Sequence, residues 1–160
     1  MYDKYDQVND VFRLAQIVPA CEYYNLHDMN KVRTDSSTSI NMLSFNICSI
    51  SRHLEQFLAE INSLTFGIMG FCETRLTSST APLYKIPSYD MFTRSRSANG
   101  GGVVLYAKCK FKATLTEDLS VTKNCIESVF IKFSYNKRTF IIGNIYRPPK
   151  GNLTDFTSEM

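Results

Sequence analysis

Asn46 and Glu73 each stand at the C-terminal end of an apolar, strand-like run, and one amphipathic helical pattern joins the two runs. The first run, Ile40-Asn-Met-Leu-Ser-Phe-Asn-Ile47, has the length and residue types of a buried strand. Ile50, Leu54, Phe57, Leu58, Ile61 and Leu64 then recur at helical spacing, with Ser49 or Ser51 available as N-cap and Glu55, Gln56, Glu60 and Asn62 left for the wet face. Phe66-Gly-Ile-Met-Gly-Phe-Cys72 follows as a second buried strand. The unit is βαβ, whose right-handed crossover sets its strands parallel and close. In an open α/β sheet ligands bind beyond the carboxyl ends of the strands, so an amide and a carboxylate delivered there together mark the first place to look for chemistry.

The rest of the chain divides around that unit. Residues 1–39 read as an N-terminal extension and polar linker, with a short helix from Val8 to Val18 ended by Pro19 and a polar stretch from Arg33 to Ser39. Residues 40–160 read as one domain. Tyr89-Asp-Met-Phe-Thr93 and Val103-Val-Leu-Tyr-Ala107 form a hairpin about the turn Asn99-Gly-Gly-Gly102. Ser128 to Phe133 and Thr139 to Tyr146 form another. The last strand is apolar on both faces, through Phe140 and Ile142 on one and Ile141 and Ile145 on the other, which predicts a central position. Pro148-Pro149 stops the sheet.

With 44% hydrophobic and 21% charged residues, the 160-residue chain has the composition of an ordinary globular domain. A net charge of +3 tolerates a nucleic-acid partner, yet no block of consecutive Lys or Arg supplies an electrostatic footprint. The five cysteines are odd in number, and none forms a C-x-x-C pair. They read as buried small hydrophobes in a reducing compartment. No run approaches the about 18 apolar residues that span a bilayer, and the N-terminus lacks an apolar signal region. The expectation is an intracellular chain, nuclear or cytoplasmic, not secreted and without a membrane partner.

Taken singly, each polar residue at the strand ends has a bland reading. Glu73 marks the return of the chain to solvent, Asn46 satisfies backbone groups at the end of its strand, and Tyr146 is a packed ring at a rigid strand exit. Together they are three oxygen-bearing side chains from three strands. A hard cation such as Mg²⁺ takes oxygen ligands, often one or two carboxylates together with substrate phosphate, so one placed glutamate is a sufficient start. Arg94 and Arg96, on the loop before the glycines, suit a polyanion or are solvated surface charges. The triple glycine lacks the Lys-Ser/Thr of a phosphate-binding loop and precedes a strand, so it reads as a tight turn. His27 and His53 have no nucleophile motif beside them and read as surface residues.

Leu43-Ser-Phe-Asn-Ile-Cys-Ser-Ile50, Ile68-Met-Gly-Phe-Cys-Glu-Thr-Arg-Leu76, Gly100-Gly-Gly-Val-Val-Leu-Tyr106, Cys125-Ile-Glu-Ser-Val129 and Ile141-Ile-Gly-Asn-Ile-Tyr-Arg-Pro-Pro149 resemble, in order and spacing, the endonuclease/exonuclease/phosphatase superfamily. Within it they resemble the apurinic-endonuclease-like domain of non-LTR (LINE-type) retrotransposons. The resemblance implies the first half of a four-layer α/β-sandwich, a mixed sheet with a βαβ start and antiparallel hairpins. It implies Asn46, Glu73 and Tyr146 as catalytic residues and Glu73 as ligand to Mg²⁺ or Mn²⁺, weakly bound or absent in this fragment; Arg94, Arg96 and Arg147 are the candidate DNA-binding residues. The implied reaction is metal-dependent phosphodiester hydrolysis, a nick in DNA whose 3′-hydroxyl primes reverse transcription. The family's Gly-Asp-Phe-Asn and Ser-Asp-His motifs do not occur in these residues. The expectation is therefore a truncated, inactive domain that leaves one sheet's inner face uncovered and self-associates through it. Two other readings stand beside it: a phosphoesterase of the same fold acting on small phosphorylated molecules or lipids, and a non-catalytic fragment that binds a partner.

Overall fold

A computed structural model describes residues 40–61, 66–123, 125–149 and 151–159; the expected N-terminal extension, with its helix from Val8 to Val18, lies outside them. The βαβ unit forms as β1 (Met42–Asn46), α1 (Ile50–Glu60) and β2 (Ile68–Cys72), and the two strands are parallel with Asn46 opposite Cys72. Helix α1 is described for 11 residues, and Asn62 and Leu64 of the expected span lie outside the described residues. Ser49 holds its N-cap position without a side-chain cap bond, and its carbonyl accepts from the Arg52 and His53 N–H groups at 3.3 Å.

The expected hairpin forms from β3 (Tyr89–Arg94) and β4 (Val103–Lys108), and β4 also pairs with β2, giving a four-stranded sheet in the order β1-β2-β4-β3. Strand β5 (Thr114–Leu115) joins β6 (Glu127–Tyr135) and β7 (Arg138–Tyr146) in a second, three-stranded sheet. The β6–β7 turn puts Asn136 and Lys137 at φ 49° and 61°, the pair of left-handed residues that a two-residue hairpin turn demands. A short helix, α2 (Leu153–Glu159), follows.

Alternation assigns the faces. Met69, Phe71, Val104 and Tyr106 are buried on the α1 side, where the rings of Phe45, Phe57, Phe71 and Tyr106 succeed one another at centroid distances of 5.4, 5.2 and 5.9 Å. On the other side Ile68, Cys72, Val103, Leu105 and Ala107 pack with Val129, Ile131, Phe133 and Phe111 in one core between the sheets. Each Val, Leu, Ile and Phe among them contributes about 1.5–3 kcal/mol when fully buried. The class is α/β, with three layers among the described residues: α1, the first sheet and the second.

Four expectations need correction. The strands beyond β4 build a second sheet, and this sheet covers the inner face that was to stay bare. Strand β7 is an edge, paired with β6 alone among the described residues, although it is apolar on both sides. Its outward Ile141 is 52% exposed. Strand β1 is half-buried, because the second sheet does not reach over it: Met42, Ser44 and Asn46 are exposed on that side. A cavity of about 210 Å³ between β1 and β7, lined by Met42, Ser44, Gly70, Ile142 and Asn144, marks the gap. The cysteines also divide, Cys72 and Cys125 buried but Cys48 and Cys109 exposed.

Asn144 is the polar tie between the sheets. Its Nδ2 donates to the Phe71 and Val104 carbonyls at 3.0 and 3.2 Å, and its Oδ1 accepts from the Cys72 thiol at 3.4 Å. Gly70 makes room for it, since a Cβ there would lie 3.1 Å from Asn144 Cγ. Asn144→Ala removes all three bonds, and an unmade buried hydrogen bond costs about 1–3 kcal/mol. Chemical denaturation should show a loss of that size, with the midpoint shifted and the slope unchanged.

Candidate active site

Strand β2 delivers Glu73 one residue past its end, in an unusual backbone conformation. Glu73 and Arg75 sit at φ 53° and 56°, and Cys48 and Ser49, at the exit of β1, at 49° and 106°. Left-handed backbone costs a non-glycine residue roughly 1–2 kcal/mol, so it persists where surrounding bonds over-determine it. Here they do. The Ile47, Ser49 and Ile50 N–H groups donate to the carbonyls of Cys72, Glu73 and Thr74 at 3.1, 2.9 and 3.1 Å, while the Thr74 and Arg75 N–H groups donate to Gly102 and Gly101 at 3.1 and 2.9 Å.

Three of the expected side chains meet at this exit. The Tyr146 hydroxyl donates to Glu73 Oε1 at 2.6 Å, Asn46 sits beside the Glu73 carboxyl and helps to lower its pKa, and Asn46 Oδ1 accepts from the Cys48 N–H at 3.1 Å. The Tyr146 bond, followed by Asn46, Arg75 and Cys48, holds the Glu73 carboxyl below its ordinary range against the opposing effect of burial. Tyr146 is pushed the other way, by burial first and then by the Glu73 carboxylate. The set offers carboxylate, amide and phenol oxygens, which suits a hard cation that keeps most of its shell as water and phosphate. Among the described residues no three His, Cys, Asp or Glu side chains cluster as a larger ligand set.

The arginines are distributed differently. Arg94 is committed away from the strand ends, with Nε donating to the Ser120 carbonyl at 3.2 Å and Nη2 bonded to Glu117. Arg96 places Nε 3.2 Å from Glu127 Oε1. Arg147 donates from Nη1 to the Gly151 carbonyl at 3.0 Å. Two residues beyond the expected set stand out. Arg75, whose buried Nε lacks a hydrogen-bond partner, lines a cleft of about 310 Å³ with Arg52, Ser49, Ser51, Thr77 and Thr80. Glu127, fully buried, accepts the Gly102 N–H through Oε2. A charged residue inside the apolar run Cys125-Ile-Glu-Ser-Val-Phe was the available signal for Glu127; Arg75 offered only its place two residues after Glu73.

No family model and no curated protein matches the sequence. Solved structures do, among them the crystal structure of D. rerio TDP2 complexed with single strand DNA product, 12% identical with a TM-score of 0.46 over 75% of this chain and 49% of that one. The chain thus spans about half the length of that structure. Among the described residues no helix is long and apolar enough to cross a membrane.

The lowered Glu73 pKa has a definite sign in stability. Its folded value lies below that of a free carboxyl in the unfolded chain, so its contribution is complete above the unfolded value and is lost as pH falls through the folded one. Tyr146→Phe removes the largest cause. Carboxyl-carbon NMR should find Glu73 titrating higher in the variant, and thermal melts should show the acid-side decline in stability shrinking.

Proposed function

We propose that this chain belongs to a divalent-metal-dependent phosphodiesterase of the endonuclease/exonuclease/phosphatase superfamily, and acts on DNA as the endonuclease of a non-LTR retrotransposon does. The observation that carries the reading is the convergence of Asn46, Glu73 and Tyr146, from three strands and two sheets, with the Tyr146 hydroxyl 2.6 Å from the Glu73 carboxylate. The five ordered segments that resemble the family support it.

In this reading Glu73 holds Mg²⁺ or Mn²⁺, and the ion when bound neutralises charge on the scissile phosphate and the leaving oxygen. Tyr146 and Asn46 keep the Glu73 carboxylate ionised and oriented, and Asn46 turns its amide to a phosphate oxygen. Flanking phosphates of the strand meet Arg96 and Arg147, with Arg94 two residues before Arg96 at the end of β3. The cleft lined by Arg52 and Arg75 adds two guanidiniums beside the β1 exit. Neither Gly-Asp-Phe-Asn nor Ser-Asp-His lies within these residues, so the site positions a phosphate without the groups that activate water.

Two outcomes follow for this polypeptide. Calorimetry should find Mn²⁺ bound about tenfold or more tightly by the native chain than by Glu73→Gln, because the one carboxylate ligand is lost. Equal affinity would remove the metal reading. Supercoiled plasmid in Mg²⁺ should be nicked no faster than by Glu73→Ala, and a clear difference would show that the positioned groups suffice.

Self-association is the second proposal, now through the β7 edge with a second copy of the chain as occupant. The strand is nine residues long, carries one charge, Arg138, at its start, and has no proline. Antiparallel self-pairing about Ile142 sets Arg138 opposite Tyr146 of the second copy, so no like charges meet. Size-exclusion chromatography should show mass rising with concentration, and Ile141→Lys should return the chain to monomer. A monomer at high concentration would count against the edge.

A further inference from the structure

We infer that Glu127 is the positioning residue of the site, a buried carboxylate that orients Glu73 by clamping the glycine turn against which the backbone of Thr74 and Arg75 is hydrogen-bonded. The inference rests on the proposed metal-binding role of Glu73 and names a residue, outside the three convergent side chains, that the role depends on.

The chain of contacts is continuous. Glu127 opens β6 opposite Tyr146 of β7 and is 0% exposed. Its Oε2 accepts the Gly102 N–H, and its Oε1 faces Arg96 Nε at 3.2 Å as an ion pair without a well-aligned hydrogen bond. Gly101 and Gly102 lie at φ 74° and 87°, and their carbonyls accept the Arg75 and Thr74 N–H groups at 2.9 and 3.1 Å. Both must be glycine for a second reason: a Cβ on Gly101 would collide with the Glu127 carboxylate, and one on Gly102 with Thr74 Oγ1. The carboxylate, the turn and the segment after Glu73 are thus packed in direct sequence. Nothing else among the bonds described for Gly102 N–H replaces Glu127.

A buried charge in an apolar strand is costly unless paired and hydrogen-bonded, so its placement here calls for a role beyond packing. Holding a left-handed glutamate in register is such a role. Partners one shell out from a metal ligand commonly set its orientation, and their loss weakens metal binding about 10–100-fold.

Two variants separate reach from charge. Glu127→Gln keeps an oxygen at the Gly102 N–H without the charge; Glu127→Asp keeps the charge but draws it back by one methylene. Amide hydrogen exchange by NMR at Gly102, Thr74 and Arg75 is read with Phe71 of β2 as internal reference, alongside calorimetry with Mn²⁺ alone. Positioning predicts that Gln holds all three amides and the Mn²⁺ affinity within about threefold, whereas Asp speeds exchange at the three about tenfold or more relative to Phe71 and weakens Mn²⁺ about tenfold. The reverse pattern, with Gln damaging and Asp benign, would overturn positioning in favour of charge. Should Asp fail to fold, the Gln variant still decides, since faster exchange at Thr74 and Arg75 in it overturns the clamp. If the native chain binds Mn²⁺ no better than Glu73→Gln, the metal reading fails while the exchange data still judge the clamp.

Discussion

Everything at the strand ends depends on the backbone hydrogen bonds that grip Cys72 to Arg75 from two directions. One side is the β1 exit, through Ile47, Ser49 and Ile50; the other is the glycine turn before β4, through Gly101 and Gly102. Each bond contributes about 0.5–1.5 kcal/mol, enough in sum to offset two left-handed residues at roughly 1–2 kcal/mol apiece. The conformation is therefore a product of tertiary structure. It exists because β2 is central, flanked by a parallel partner on one edge and an antiparallel one on the other.

The electrostatics of the site grow from that placement. Two carboxylates and a thiol share the space, and their ionisations are driven apart. Glu73 is held down by its Tyr146 hydrogen bond, Glu127 is pushed up chiefly by burial, and the Cys72 thiol is pushed up to about 11 by burial, with both carboxylates adding to it. The two carboxylates thus differ in setting, Glu73 at the strand exit and Glu127 fully buried. Arg96 and the Gly102 N–H temper the internal charge without cancelling its burial.

How much of this was legible in the sequence follows from the range of the forces involved. The βαβ unit, both hairpins and the meeting of Asn46 with Glu73 were readable, because period and turn chemistry are local and the parallel pairing follows from the crossover. Tyr146 was readable as a strand-terminal phenol, and its bond to Glu73 realises that placement across 73 residues of sequence. Other features were not local. Glu127 stands out as a charge within an apolar run, but what it pairs with is set only when β6 is laid over β4. Arg94 ends β3 and Arg96 lies two residues on, yet one pairs with Glu117 and the other with Glu127. Only the fold of the second sheet separates them.

Strand β7 shows why an apolar pattern on both faces does not determine position in a sheet. Its inner side, Phe140, Ile142 and Tyr146, packs into the core between the sheets. Its outer side needs apolar residues for a different reason: the Phe130 ring of β6 lies against Gly143, where a Cβ would collide with it. That cross-strand contact rewards apolar neighbours at Ile141 and Ile145 whether or not another strand pairs beyond them. Two-faced apolarity thus reports what covers the faces of a strand, whereas edge or centre is decided by hydrogen bonding in the plane of the sheet, on which side chains carry no pattern. Among the described residues, the exposed side of β1 and the unpaired edge of β7 border one gap, so face burial and edge pairing stop at the same place.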